Sequence, residues 1–165
     1  MDESNSAAQY QLASLENWQI TNDSIMGGLS TGSISSINEH TVFSGSISTE
    51  NNGGFTSIFK LICTLSDKIN TVKIKVRGDG NDYQLRFRSQ LTGYAMSYKI
   101  DFSTLPNTVS IHTFNLSDFT ANFRGRKIEN APELPPPAIT HVGFLIKSKQ
   151  PKDFSLSIHS VTFND

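Results

Sequence analysis

The chain has 165 residues, with 14 Lys plus Arg against 15 Asp plus Glu and a formal net charge of -1. That balance excludes a global field for nucleic acid or an anionic membrane, so any charge-driven partner must use a local patch. One cysteine excludes an intrachain disulfide and a cysteine-based zinc site, and the length suits one domain with one core.

The acidic start, Met1-Asp2-Glu3-Ser4, lacks the basic and apolar regions of a secretory signal and the Arg-rich pattern of a transit peptide. No apolar run approaches the roughly 20 residues of a membrane-crossing helix. These features predict a soluble chain without a transmembrane segment, and the absence of disulfides favours the cytoplasm. Residues 1–14 are small and polar and read as a flexible tail, leaving 15–165 as the domain.

Past Trp18, the run Asn22-Asp23-Ser24 and the pairs Gly27-Gly28 and Gly53-Gly54 have turn composition. Strand-like alternation covers 41–48 and 54–61, and Cys63 follows in the apolar run Leu61-Ile62-Cys63, where a buried thiol is expected. Next, Val72, Ile74 and Val76 alternate with Lys73, Lys75 and Arg77. Tyr83, Leu85 and Phe87 then alternate with Gln84, Arg86 and Arg88. The intervening Gly78-Asp79-Gly80-Asn81-Asp82 has the composition of a hairpin loop, so the two runs are expected to pair.

Further alternation covers 94–102, 108–114, 140–147 and 154–163. A single helical turn is expected near Ser117 to Phe119, and a long loop from Thr120 to Ala138. In the last run Phe154, Leu156 and Ile158 are even while Val161 and Phe163 are odd, which a bulge or bend near His159-Ser160 would explain. At least eight strands without an amphipathic helix predict an all-β, antiparallel β-sandwich of jelly-roll type.

Chemistry is sparse. His40, His112, His141 and His159 have no metal-ligand spacing, and neither a nucleophile elbow nor a phosphate-binding glycine-lysine loop is present. Asp79, Asn81 and Tyr83 imitate a calcium loop whose twelfth position is Gln90, not glutamate. The expectation is a non-enzyme without cofactor or metal. A minor alternative is a polar-substrate site at which Asp23, Asp79 and Arg86 meet.

Pairing 71–77 with 82–88 would gather Lys73, Lys75, Arg77, Arg86 and Arg88 on one face, suited to carboxylates, phosphates or an acidic protein surface. Arg124-Gly125-Arg126 in the long loop offers a second anchor, with Arg124 and Arg126 flanking a flexible glycine. Asn22, Asp23 and Asn52 are secondary ligand candidates, best suited to holding turns. Tyr94, Met96 and Tyr98 share one side of their strand, a packing surface first and a sugar-stacking platform second. The sequons at Asn22 and Asn115 matter only in a secretory setting.

Several blocks in order resemble one family. They are 18–30 (WQITNDSIMGGLS), Phe43-Ser44-Gly45, 51–57 (NNGGFTS), Val76-Arg77-Gly78-Asp79-Gly80 with Tyr83-Gln84-Leu85-Arg86, and Phe119 with Phe123-Arg124-Gly125-Arg126. The series closes with 139–143 and Phe154-Ser155-Leu156-Ser157-Ile158. Spanning about Leu15 to Phe163, they resemble the CIA30 family, the complex I intermediate-associated protein 30 domain. The chain departs from it at Thr108-Val109-Ser110, where a tryptophan is common. The resemblance implies a galactose-binding-domain-like sandwich and a role in assembly of NADH:ubiquinone oxidoreductase. Its subunits or assembly intermediates would then be partners, with a glycan or small anionic ligand as the alternative.

Overall fold

Period-two alternation becomes strand in a computed structural model, which describes residues 8–10, 18–22, 29–50, 54–90, 96–123, 126–129 and 131–165. In chain order the strands are β1 Ala8–Tyr10, β2 Trp18–Asn22, β3 Thr31–Ile37, β4 His40–Ile47, β5 Phe55–Leu61, β6 Thr71–Arg77 and β7 Asp82–Ser89. They continue with β8 Met96–Ser103, β9 Val109–Asn115, β10 Thr120–Phe123, β11 Arg126–Lys127, β12 Ile139–Lys147 and β13 Lys152–Asn164. Single 3-10 turns occur at Leu116–Asp118 and Pro136–Ala138, the first where the sequence predicts one.

Two antiparallel sheets result. The six-stranded sheet runs β3-β4-β13-β6-β9 with β1 also on β13, and the seven-stranded sheet runs β11-β10-β8-β7-β12-β5-β2. Between them lie Val72, Ile74 and Val76 from β6, Leu85 and Phe87 from β7, Val142, Phe144 and Ile146 from β12, and Leu156 and Phe163 from β13, all buried. Phe87 stacks on Phe119 at 4.6 Å, and Phe43 meets Phe154 edge-on at 4.8 Å. Burying each such side chain stabilises the fold by roughly 1.5–3 kcal/mol. The all-β sandwich read from the alternation is therefore the fold.

The expected hairpin is absent. β6 pairs with β13 and β9, whereas β7 pairs with β12 and β8, so 78–82 carries the chain from one sheet to the other. Alternation states which side chains face the core, and two strands satisfy it equally side by side or opposed across the core. The connector's glycines serve the crossing: Gly80 has φ 93, and a Cβ at Gly78 would collide with the Thr104 side chain. Thr104 clamps the crossing, its Oγ1 donating to Asn81 O at 2.7 Å and accepting from Gly80 N at 3.1 Å.

Asp79 fastens it further. Its carboxylate accepts from Asn81 N (3.1 Å), Asn81 Nδ2 (2.8 Å), Tyr83 Oη (2.9 Å) and Ser155 N (2.6 Å). The three residues that imitate a calcium loop thus bond one another.

The bulge in β13 lies where the phase shift places it, with the register on β6 slipping between Ile158 and Ser160. Cys63, expected in the core, is exposed. β5 ends at Leu61, Ile62 N donates to Thr140 O at 3.0 Å, and Ile62 and Leu65 turn inward instead of the thiol. Ala8–Tyr10, within the segment read as a tail, pairs with β13. The long loop holds β10 and β11, and serine-rich β3, too polar to alternate visibly, forms a sheet edge.

Candidate functional site on the outer face of the seven-stranded sheet

Because Tyr83, Leu85 and Phe87 point into the core, Gln84, Arg86 and Arg88 take the outer face of β7. Ser97 and Lys99 of β8 lie opposite Arg88 and Arg86 on that face, and His141 of β12 lies opposite Arg88 on the other side. Arg86 Nε donates to Gln84 Oε1 at 2.9 Å, and Arg86 Nη1 to Ser97 Oγ at 3.0 Å. Both acceptors are neutral. Lys99 Nζ engages Asp101 at 3.1 Å. Among the described residues no carboxylate bonds Arg86 or Arg88.

Gly143 explains where Arg88 sits. It is in register with Arg86 on one side and Phe59 of β5 on the other. A Cβ there would strike the Phe59 ring and Ile58 O. Without one, Phe59 lies across β12, and the Arg88 guanidinium stacks 3.8 Å from its centroid. Gln84, Ser97 and Phe59 are buried although they face away from the core, so the floor of this face is closed to solvent.

The electrostatics follow from that closure. Burial lowers the Arg86 pKa to about 10, with Asp101 opposing the shift and Arg88 adding to it. Burial likewise lowers Arg88. His141 is pushed below the ordinary histidine value by burial and then by Arg88, and its Nδ1 lies 2.8 Å from Thr140 Oγ1. Here partly desolvated cations stand beside neutral hydrogen-bonding groups, an arrangement that favours an incoming carboxylate or other oxyanion.

The five-residue basic patch is not formed. Lys73, Lys75 and Arg77 project from the outer face of the six-stranded sheet, on the opposite surface from Arg86 and Arg88. Asn22 closes β2 opposite Thr56, and Arg126 opens β11 opposite Phe123. Asp23, Asn52 and Arg124 lie outside the described residues, as does Tyr94. Tyr98 packs in the core and donates to Pro132 O at 2.7 Å, not toward a sugar. Asp79 and Arg86 do not meet: Tyr83, which holds Asp79, is core-facing, whereas Arg86 is on the other side of the sheet.

His141, Ser97 and Phe59 belong to the site without having been singled out from sequence. The parity of their strands places them outward, but their neighbours depend on pairing. Among the described residues no group of three His, Cys, Asp or Glu is placed to hold a metal ion, and no helix is long and apolar enough to cross a membrane.

The family described as "Complex I intermediate-associated protein 30 (CIA30)" matches residues 7–158 of the 165. The chain belongs to this family. No curated protein matches its sequence at a significant level. Among solved structures, this CIA30 chain is similar to the family 11 carbohydrate-binding module from Clostridium thermocellum in complex with a beta-1,3-1,4-mixed-linked tetrasaccharide. That match has TM-score 0.73 at 10% identity over 96% of this chain and 95% of that one. A second family 11 module, of the cellulosomal cellulase Lic26A-Cel5E of the same organism, gives 0.69 at 11% over 95% and 94%. The low affinity xylan binding module CBM86 from Roseburia intestinalis gives 0.55 at 12% over 96% and 94%. At these identities the CIA30 chain shares their sandwich fold, and the likeness extends no further.

Proposed function

We propose that the chain is a non-catalytic binding module of the CIA30 type, and that its ligand is an acidic, carboxylate-bearing segment of a protein received at Arg86 and Arg88. The observation that carries this reading is a pair of partly buried guanidiniums on one outer sheet face, held by neutral oxygens and an aromatic ring instead of carboxylates. A carboxylate reaching Arg86 would gain a charge-assisted pair where solvent competes weakly. The family name supports an assembly partner, with subunits or intermediates of NADH:ubiquinone oxidoreductase as the first candidates.

The test is a pull-down from native-host lysate at low and moderate salt with wild type, Arg86→Met and Arg88→Met, each checked for folding by circular dichroism. Wild type is expected to retain a specific protein that both variants lose. The same protein on all three baits would make the arginines structural. A second reading, a glycan ligand, is favoured by the amide of Gln84 and the hydroxyl of Ser97 beside Arg86. Glycan-array binding sensitive to Arg86→Met, with no protein retained, would select it.

A further inference from the structure

The six-stranded sheet has a recess of its own, independent of the Arg86 face and on the opposite surface. It measures about 410 Å³ and lies between the β3–β4 turn and Arg77, with the imidazoles of His40 and His159 and the hydroxyls of Ser155 and Ser157 along it. His159 follows Ser155 and Ser157 on the outward side of β13, at the register slip between Ile158 and Ser160, and its ring stacks on His40 with centroids 3.7 Å apart and planes within 5°. Arg77 Nη1 donates to Asn107 Oδ1 at 2.8 Å, an uncharged partner.

Among the described residues its lining carries no negative charge. Of the acids nearby, Glu39 sits exposed in the β3–β4 turn, Asp153 accepts from Ser46 Oγ at 2.7 Å, and Asp79 already accepts four hydrogen bonds. Positive charge comes from Lys75 and Arg77 of β6, while β9 beyond them presents Val109 and Ile111. His159 is held below the ordinary histidine range by burial, then by His40, Lys75 and Arg77. Two parallel imidazoles this close repel when both are protonated, and a bound anion would relieve that repulsion.

We propose that this recess binds a tetrahedral dianion, a phosphoryl or sulfuryl group, with uptake of a proton by the His40–His159 pair. A guanidinium, serine hydroxyls and imidazoles supply donors from several directions, which a tetrahedral oxyanion accepts better than a planar carboxylate. Binding and protonation are linked, so each strengthens the other.

Sulfate is the probe, because its charge stays constant while His159, held below 6.5, takes up its proton. The full chain is titrated by histidine-ring NMR in sulfate and in chloride at equal ionic strength. The His159 titration is expected to move up by about half a unit in saturating sulfate, and sulfate to bind about threefold tighter at the acid end. Arg77→Met should lose this response, and Lys68→Met, on an exposed turn, should keep it. His40→Asn should bind sulfate with a weaker dependence on pH. Inorganic phosphate at one pH ranks the two groups: tighter phosphate assigns a phosphoryl ligand, tighter sulfate a sulfuryl one. Identical His159 titrations in sulfate and chloride would overturn the site, as would an undiminished response in Arg77→Met. An unchanged pH dependence in His40→Asn would overturn proton uptake by the pair.

Discussion

Thr41 is wholly buried in β4, and its Oγ1 finds no hydrogen-bond partner among the described residues. A desolvated, unbonded hydroxyl costs stability that an isosteric methyl does not. Thr41→Val is therefore expected to raise the unfolding free energy by about 1 kcal/mol in urea denaturation; a loss would show that the hydroxyl is bonded. At this scale the alternation reads side chains correctly wherever a strand persists. Arg86 and Arg88 face outward, and Val72, Leu85 and Phe87 face in. It fails at Cys63, where the strand has ended and burial is set by how the chain leaves the sheet.

The 78–82 connector joins two elements that share no backbone ladder, so its own bonds must hold it. Asp79 supplies four of them, and one satisfies the hydroxyl of buried Tyr83, whose pKa is raised by burial first and by Asp79 next. Asp79→Ala leaves that hydroxyl and the Ser155 amide without this acceptor. The expected cost is roughly 3 kcal/mol in the urea-unfolding free energy. A cost below about 0.5 kcal/mol would place the work of the crossing on Thr104 alone. The irregularity in β13 is legible in sequence, because the inward residues change from even to odd positions within one strand, and the register slips there between Ile158 and Ser160.

Across the whole molecule, closing the sandwich separates the basic residues by sheet and buries several histidines in part. His112, His141 and His159 are all held below the ordinary value of 6.5, each chiefly by burial. Since the unfolded chain takes up these protons first as pH falls, the contribution of the neutral imidazoles is present above 6.5 and is lost as pH falls through 6.5 toward the folded values. Urea midpoints are accordingly expected to be level from about pH 8 to 7 and to decline from there to about pH 5. His112→Gln should make the decline shallower, its ring lying 5.1 Å from that of Phe102. A flat profile in the wild type would show that the imidazoles protonate as readily in the folded chain as in the unfolded one.

From sequence alone come the all-β class, the core side of the principal strands, the β13 bulge and the ordered blocks that resemble the CIA30 family. These are properties of single strands and short turns, recorded in neighbouring residues. Which strands become partners was decided only in three dimensions. A hairpin across 78–82 and a crossing between sheets use the same glycines and bury the same alternate residues, so the choice rests on long-range ladders to β8, β9, β12 and β13. That choice sends Lys73, Lys75 and Arg77 to one surface and Arg86 and Arg88 to the other. It also brings His141 and Phe59 beside Arg88, and it sets His40 against His159.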